Sequence, residues 1–245
     1  FGMERELGSI TPGRRADFIV TSSLRELPIE SVFARGQCIA ENGKLLTDCP
    51  HYPWPSTARE TVKLGKKLKA NDFTISAPEG VSSVKAKVIG VIENQAPTKS
   101  LEFDLPVEEG NVQITEEVSY LSLVERHRGT GSVTNGFVSG FGYTGSMAIA
   151  SSVAHDSHHM IVVGTDRKLM AAAANRLGEV GGGVTLWKDD AERALVELPI
   201  AGLMSDSQAA EVANKAQAII SAMIDCGCSL NNAYMQHTLL ALVVI

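Results

Sequence analysis

The chain has 245 residues, of which 44% are hydrophobic, 20% charged and 5% aromatic. This composition is typical of a globular protein with one large domain or two ordinary ones, and it excludes disorder and a collagen-like structure. The net charge of -6 is spread along the chain without a basic stripe, which argues against a nucleic-acid surface. The longest purely apolar run, residues 239–245, is far shorter than the roughly 20 residues that span a bilayer, so we expect no membrane span.

Cysteine usage and the first residues of the sequence predict a reducing, cytoplasmic environment. The four cysteines, Cys38, Cys49, Cys226 and Cys228, are few and irregularly spaced for this length. The first residues contain no basic segment followed by an apolar signal core. Cys226 and Cys228 have no second Cys or His pair at zinc-finger spacing, so we predict buried free thiols rather than a metal or redox site.

Short strands joined by turns are predicted over the first 46 residues. Residues 16–20 form a strand core, and residues 31–39 and 44–46 flank Asn42-Gly43, a pair that supplies the positive φ angles of a tight hairpin. The three prolines that follow favour an extended linker, and a short basic helix is predicted beyond them at residues 56–69. We therefore predict three regions, a small β unit at residues 1–48, a linker with a short helix at 49–72 and a second domain at 73–245.

The second domain is predicted to be α+β, with a sheet on one side and helices on the other. Asp166 is the predicted N-cap of a helix that ends at Gly178, and Ser205 with Gln208 forms a capping-box pattern before a helix at residues 209–224. Segments rich in β-branched residues predict strands at residues 84–92, 101–107, 112–124, 183–187 and 194–198.

Two short polar runs are poorly explained by packing, and a glycine-rich segment separates them. Glycines allow the backbone to turn sharply or to approach a ligand. The second run places a carboxylate between two imidazoles, a set suited to proton transfer, to binding a polar heterocycle or to holding a divalent metal. The first run consists of Glu125, Arg126 and His127, and the candidates in the second are His155, Asp156 and His158.

Structural interpretations of the same residues remain open at this point. The second run could cap a turn through side-chain to backbone hydrogen bonds, and Glu125 with Arg126 could form a structural ion pair. The spacing does not favour metal ligation, because no His-x-His pair occurs on a strand. His159 is predicted to begin a strand.

Three further features are predicted to be structural. Gly181-Gly182-Gly183 lack the Lys-Ser/Thr pair and the following helix of a phosphate cradle, so we predict a turn before a strand. His51 and His237 have no chemical neighbours in the sequence that would suggest a site.

The first part of the chain resembles the segment that follows the catalytic barrel in enzymes of the amidohydrolase superfamily. The resemblance lies in residues 7–20 (LGSITPGRRADFIV), residues 32–37 (VFARGQ) and Asn42-Gly43. In that superfamily the chain returns after the barrel to a small β-sandwich built from both ends of the protein. The resemblance implies that residues 1–48 are the C-terminal strands of such a composite sandwich.

The rest of the chain resembles the C-terminal domain of the bacterial-type adenine deaminase family. The matching motifs are Glu125-Arg126-His127, residues 136–142 (GFVSGFG), residues 150–158 (ASSVAHDSH) and residues 199–205 (PIAGLMS). This resemblance implies hydrolytic deamination of adenine, or of a related aminopurine, to hypoxanthine and ammonia. It also implies a divalent metal, manganese or iron, and assembly as a homodimer.

Some positions depart from the family pattern. The family usually has Asn at the position of His159 and Gly-Ala at the position of Gly145-Ser146. No part of this sequence matches the His-x-His strand and the later His and Asp residues that hold the metals of amidohydrolases. The resemblance therefore places the catalytic TIM barrel and its metal before Phe1, and it predicts that the C-terminal domain stops early at Ile245. Residues 239–245 are predicted to be an interrupted apolar strand.

The resemblance implies a supporting role for this chain in the reaction. The loop that carries His155, Asp156 and His158, together with the glycine-rich segment, is expected to reach over the barrel mouth, exclude water and contact the purine. Glu125, Arg126 and His127 are expected to support that loop. No metal ligand is expected within this chain, and the segment alone is expected to be inactive.

Two other interpretations are kept as alternatives. The segment could be a non-catalytic dimerisation module in which the polar loop is architectural. It could also be a free-standing metalloenzyme that uses His155, Asp156 and His158 as ligands, which is the weakest of the three interpretations.

Overall fold

A computed structural model describes residues 1–48 and 52–242 of the chain. These residues form a mixed α/β structure, as the sequence predicts, and the chain divides into two compact units, Phe1–Pro53 and Trp54–Ile245. Neither unit contains a TIM barrel within the described residues. Cys49, His51 and part of the predicted linker lie outside the described residues, and the proposed division at residues 48 and 72 stays a prediction.

The first unit is an antiparallel meander of four strands. The strands are β1 (Phe18–Thr21), β2 (Ile29–Ala34), β3 (Gln37–Glu41) and β4 (Lys44–Leu45). The prediction of one strand at residues 31–39 is wrong, because Arg35 and Gly36 both have positive φ angles and form a two-residue hairpin loop. The predicted hairpin turn at Asn42-Gly43 is confirmed by φ angles of 50° and 76°.

The second unit contains a nine-stranded sheet in the order β13-β12-β10-β11-β8-β9-β5-β6-β7. All neighbours pair antiparallel except β5 and β9. The predicted strand at residues 112–124 is wrong, because residues 113–117 leave the ladder and separate two strands. The strands are β5 (Ser83–Gly90), β6 (Lys99–Glu108), β7 (Asn111–Val112), β8 (Val118–Val124), β9 (Val133–Ser139), β10 (Met147–Ser151), β11 (Met160–Gly164), β12 (Gly183–Lys188) and β13 (Ala191–Glu197).

Four α-helices complete the described part of this unit, α1 (Ser56–Arg59), α2 (Arg167–Val180), α3 (Ala209–Asp225) and α4 (Ala233–Leu239). The N-cap at Asp166 is confirmed, because its carboxylate accepts from the amides of Lys168 and Leu169. The predicted end at Gly178 is wrong, because α2 continues to Val180 and Gly181 forms the left-handed C-cap. Gly178 instead packs against Leu64, whose side chain would have to shift for an added Cβ, since that atom would lie 2.7 Å from Leu64 Cδ1.

Three other predicted features differ from the structure. The prediction of a basic helix at residues 56–69 is wrong beyond Arg59, where α1 ends, and Lys63 N instead donates to the carbonyl of Arg126. The helix after residue 208 is confirmed, but Gln208 makes no side-chain cap and Ser205 Oγ accepts from Ser207 N instead. The apolar residue Leu239 ends α4 rather than beginning a strand, and residues 243–245 lie outside the described residues.

The helices pack on both faces of the sheet, not on one. Alternate residues of β10 and β11 point to opposite faces, and every residue of both strands is buried, although Ser151 of β10 is polar. On one face, Ala148 and Val162 share a core with α2, and on the other, Ile149 and Ile161 share a core with α3. Both faces of the central strands are therefore covered.

The two predicted buried thiols lie in the second of these cores. Cys226 and Cys228 are free and buried, and desolvation raises the pKa of both thiols.

The turn predicted at Gly181-Gly182-Gly183 is confirmed between α2 and β12. Among the described residues, no helix has both the length and the apolarity that crossing a bilayer requires.

His237 is a buried histidine in α4. Its side chain is 0% exposed, and its ring packs edge-on against Phe141 at a centroid distance of 6.5 Å. Neither ring nitrogen has a well-formed hydrogen bond with the described residues. Burial lowers the pKa of His237 to about 4, although a contact with the Ile161 backbone opposes the shift. The ring is therefore neutral in the folded protein near pH 7.

This buried ring predicts acid destabilisation of the second unit. Between the usual histidine pKa of 6.5 and about 4, the unfolded chain binds a proton at His237 that the folded chain does not. The free energy of unfolding should fall as the pH is lowered through this window. His237→Leu should flatten that fall, with little loss of stability at pH 8, in urea unfolding followed by circular dichroism. An identical pH dependence in both proteins would show that His237 does not titrate in this way.

Candidate functional site

Two loops meet at one edge of the nine-stranded sheet. Residues 125–132 connect β8 to β9, and residues 152–159 connect β10 to β11. Because β8 and β11 are antiparallel neighbours with Val124 opposite Met160, the end of one strand lies beside the start of the other. The structure therefore brings together the two polar runs that the sequence singles out. We call residues 152–159 the site loop.

The glycine-rich segment does not act as one unit over this loop. Gly129 and Gly131 lie in the β8–β9 connection, at the same sheet edge as the site loop. Gly140, Gly142 and Gly145 lie beyond the other end of β9, at the opposite edge. The expectation that the whole segment reaches over one mouth with the site loop is therefore wrong, because β9 carries the chain across the sheet.

Glu125 organises its own loop. Its carboxylate accepts from the amides of His127 at 2.5 Å, Arg128 at 2.7 Å and Thr130 at 3.0 Å. Desolvation raises the pKa of Glu125, but these bonds outweigh it and lower the pKa to about 2. The described contacts of Glu125 and Arg126 include no ion pair between them, so the ion-pair interpretation is not supported.

Arg126 is a buried cation that holds the site loop. Its side chain is 1% exposed, and its Nε donates to the carbonyl oxygen of His158 at 2.5 Å. Its Nη2 donates to the carbonyl of Ala201 at 3.2 Å, whereas Nη1 has no partner among the described residues. Burial lowers the pKa of Arg126, but a guanidinium stays charged at any physiological pH. One side chain thus joins the site loop to the turn at residues 199–204.

Ser152 provides a second link between the site loop and the turn at residues 199–204. The Oγ of Ser152 donates to the carbonyl of Gly202 at 2.6 Å, and it accepts from the amide of Gly183 at 2.7 Å. Neither Ser152 nor Gly202 stands out in the sequence as a site residue. The signal was present, because both lie in motifs that carry the family resemblance, but only the folded chain shows that they touch.

The site loop is also fixed from within. The amide of His158 donates to the carbonyl of Ala154 at 2.7 Å, and the amide of Ala154 donates to Nδ1 of His158 at 3.3 Å. From α4, the carbonyl of Thr238 accepts from the amide of His155 at 3.2 Å. His158 has a φ angle of 51°, a left-handed conformation that needs such support.

Three candidate side chains are accessible on this loop. Asp156 is exposed, and its carboxylate makes no hydrogen bond with the described residues. His155 and His158 are half-buried, with ring centroids 5.4 Å apart. Asp156 therefore does not cap the turn, and the capping role falls to Ser157, whose Oγ accepts from the amide of His159 at 3.4 Å.

His127 and His159 form a second imidazole pair beside the loop. Nε2 of His127 lies 2.9 Å from the carbonyl oxygen of Ser157, and the two rings are 4.8 Å apart. His159 precedes β11, which begins at Met160. Burial lowers the pKa of His158 and His159, and nearby positive charge lowers both further, so both rings are neutral near pH 7.

The described residues do not fit a metal centre. Nowhere in residues 1–48 or 52–242 do three or more His, Cys, Asp or Glu side chains converge closely enough to hold an ion. His155, Asp156 and His158 are neighbours in the loop but do not form a ligand set. The interpretation as a free-standing metalloenzyme is therefore not supported. The exposed carboxylate and imidazoles are suited instead to hydrogen bonding with a polar partner.

The close approach of Gly202 to Arg126 gives a test of this arrangement. Gly202 has a φ angle of 71°, and an added Cβ would lie 2.7 Å from Arg126 Nη1. Gly202→Ala should lower the free energy of unfolding by about 2–4 kcal/mol, from backbone strain and overpacking. Gly145→Ala is the matched control, because Gly145 has the same φ of 71° and no atom within 4 Å of an added Cβ. It should cost only about 1–2 kcal/mol. Equal losses in urea unfolding would contradict the contact.

The sequence of this chain is similar to that of known proteins. Residues 95–245 match the sequence profile of the adenine deaminase C-terminal domain. An adenine deaminase of Roseobacter denitrificans and one of Ruegeria pomeroyi are each 70% identical to the whole of this chain, and one of Ruegeria sp. (strain TM1040) is 67% identical. The chain spans 41% of the length of these relatives. The profile match covers more than half of the chain, and the chain therefore belongs to the adenine deaminase C-terminal domain family.

Proposed function

We propose that this chain is the C-terminal part of an enzyme that hydrolyses adenine, or a related aminopurine, to hypoxanthine and ammonia. The relatives that match its whole length are named adenine deaminases. The observation that carries the proposal is the site loop itself. It is fixed from beneath by a buried guanidinium, yet it exposes the carboxylate of Asp156 and presents two half-buried imidazoles.

The role of the site loop in this proposal is to cover the active site and bind the purine. An aminopurine carries hydrogen-bond donors on its amine and acceptors at its ring nitrogens. Asp156 can accept from a donor, and the imidazoles of His155 and His158 can donate or accept. Covering the site excludes water, which strengthens each of these hydrogen bonds. Glu125, Arg126 and His127 act by holding the backbone of the two loops.

The catalytic barrel, the metal and the assembly belong to the same proposal. We propose that a catalytic barrel precedes Phe1 and binds a divalent metal, manganese or iron, which supplies the Lewis-acid chemistry when bound. We also propose a cytoplasmic homodimer that acts in purine salvage. In this arrangement residues 1–48 complete the sandwich of the barrel domain, residues 49–72 link it to the C-terminal domain, and residues 73–245 form that domain.

A second candidate function is a dimerisation module without a part in catalysis. The observation that favours it is on α3, where Ile220 and Ile224 are 42% and 61% exposed and lie one helical turn apart. Exposed neighbouring isoleucines are typical of an interface.

Sedimentation of the chain separates these two functions. A dimer that dissociates in Ile220→Lys/Ile224→Lys, with Asp156 shielded from solvent between subunits, would favour the second candidate. A monomer, or a dimer that leaves Asp156 accessible, is expected if the site loop faces a barrel.

Substitution of Asp156 in the full-length enzyme tests the catalytic role. Asp156→Ala should lower kcat/KM for adenine by at least about tenfold, because a contact with the substrate is lost. Thermal unfolding should not change, since Asp156 is exposed and makes no hydrogen bond with the described residues. Asp104→Ala is the control, because Asp104 is an exposed carboxylate on β6, far along the sheet. Turnover at the wild-type rate in Asp156→Ala would end the proposal.

A further inference from the structure

The hydrogen bonds around His158 determine which ring nitrogen carries its proton. The amide of Ala154 lies 3.3 Å from Nδ1 of His158 and points toward it. A backbone N–H can only donate, so Nδ1 must accept through its lone pair. A neutral imidazole has one N–H and one lone pair, so the proton of His158 lies on Nε2.

The neutral state of this ring has a physical cause. Burial lowers the pKa of His158, and electrostatic interactions with His155 and Arg126 act in the same direction. The carboxylate of Asp156 opposes these effects but does not outweigh them. Protonation of Nδ1 would also place an N–H against the Ala154 amide, so the fold favours the neutral ring.

The position of the ring is fixed as well as its tautomer. Arg126 Nε holds the carbonyl of His158, and the amide of His158 is bonded to Ala154. Nε2 makes no hydrogen bond with the described residues, and the side chain is half-buried. His127 differs, because its Nε2 already lies 2.9 Å from the Ser157 carbonyl and is not available to a ligand.

We infer that His158 binds the aminopurine as a fixed hydrogen-bond donor, with its Nε2–H directed at an unprotonated ring nitrogen. This inference rests on the proposed function and deepens it. A donor at this position selects a heterocycle with a lone pair there and disfavours one with a C–H. Because the lone pair of the ring is occupied at Nδ1, His158 does not act as the base of the reaction. It determines specificity, and Asp156 is left as the acceptor of the loop.

Two substitutions of His158 distinguish the contribution of Nε2 from that of Nδ1. The terminal amide of His158→Gln reaches the place of Nε2 and can still donate there. The amide of His158→Asn reaches only the place of Nδ1, so it keeps the acceptor for Ala154 and loses the outer donor. Asn also tolerates the left-handed backbone at this position well.

The experiment measures competitive inhibition of the full-length, metal-loaded enzyme by 1-deaza-, 3-deaza- and 7-deazaadenine, with adenine as substrate. Inhibition constants are used so that the reactivity of the analogues does not enter. In the wild type, one analogue should bind at least about tenfold more weakly than the other two, because it lacks the acceptor that His158 contacts. His158→Gln should keep most of that preference. His158→Asn should bind all three analogues within about threefold of one another.

The outcomes distinguish the inference from the proposed function. The inference is wrong if His158→Asn keeps the wild-type preference, or if Gln and Asn lose it equally, while Asp156→Ala still lowers turnover. The proposed function itself fails if Asp156→Ala turns over adenine as the wild type does, whatever the His158 variants show. A ratio of inhibition constants does not depend on the fraction of active enzyme, so partial misfolding of one variant does not obscure the result.

Discussion

The structure of the candidate site depends on one buried cation. Arg126 lies at the end of β8, where its guanidinium is removed from solvent and donates to carbonyl oxygens of two separate segments. A charge in such a position is costly unless it is well hydrogen-bonded, so the carbonyls of His158 and Ala201 are held where the guanidinium requires them. The conformation of the site loop follows from this requirement.

The same cation affects the electrostatics of the loop. Burial is the main reason that the pKa values of His158 and His159 are lowered, and the charge of Arg126 lowers both further. A neutral imidazole has one donor and one acceptor nitrogen, and the amide of Ala154 on Nδ1 decides which is which in His158. Arg126 therefore acts on the site loop in two ways, by holding its backbone and by favouring the neutral form of His158.

The sheet supplies the rigid frame on which these effects depend. β8, β10 and β11 are neighbours in its centre, and cores on both faces cover them. The polar loops at their ends are anchored to strands that cannot shift independently, because interiors are close-packed. A short loop at the edge of such a sheet can hold exposed polar groups in a fixed arrangement, which is what binding of a small heterocycle requires.

Local sequence signals predicted many elements correctly. The cap at Asp166, the hairpin at Asn42-Gly43 and the apolar strand next to His159 depend on side-chain chemistry and periodicity within a few residues. The prediction of a helix at residues 56–69 is wrong because that segment makes contacts with distant residues. One example is the hydrogen bond from the amide of Lys63 to the carbonyl of Arg126. Propensity alone cannot include such contacts.

The sequence by itself determined the fold class, the family resemblance and the two polar runs, because each of them depends on residues that are close together in the chain. Only the tertiary structure decided that the side chain of Arg126 binds the site loop and does not pair with Glu125. It also decided that Ser152 contacts Gly202, and that the glycine-rich segment is divided between two sheet edges. These relations depend on strand order. Strand order arises from the packing of residues far apart in the chain, which no local pattern records.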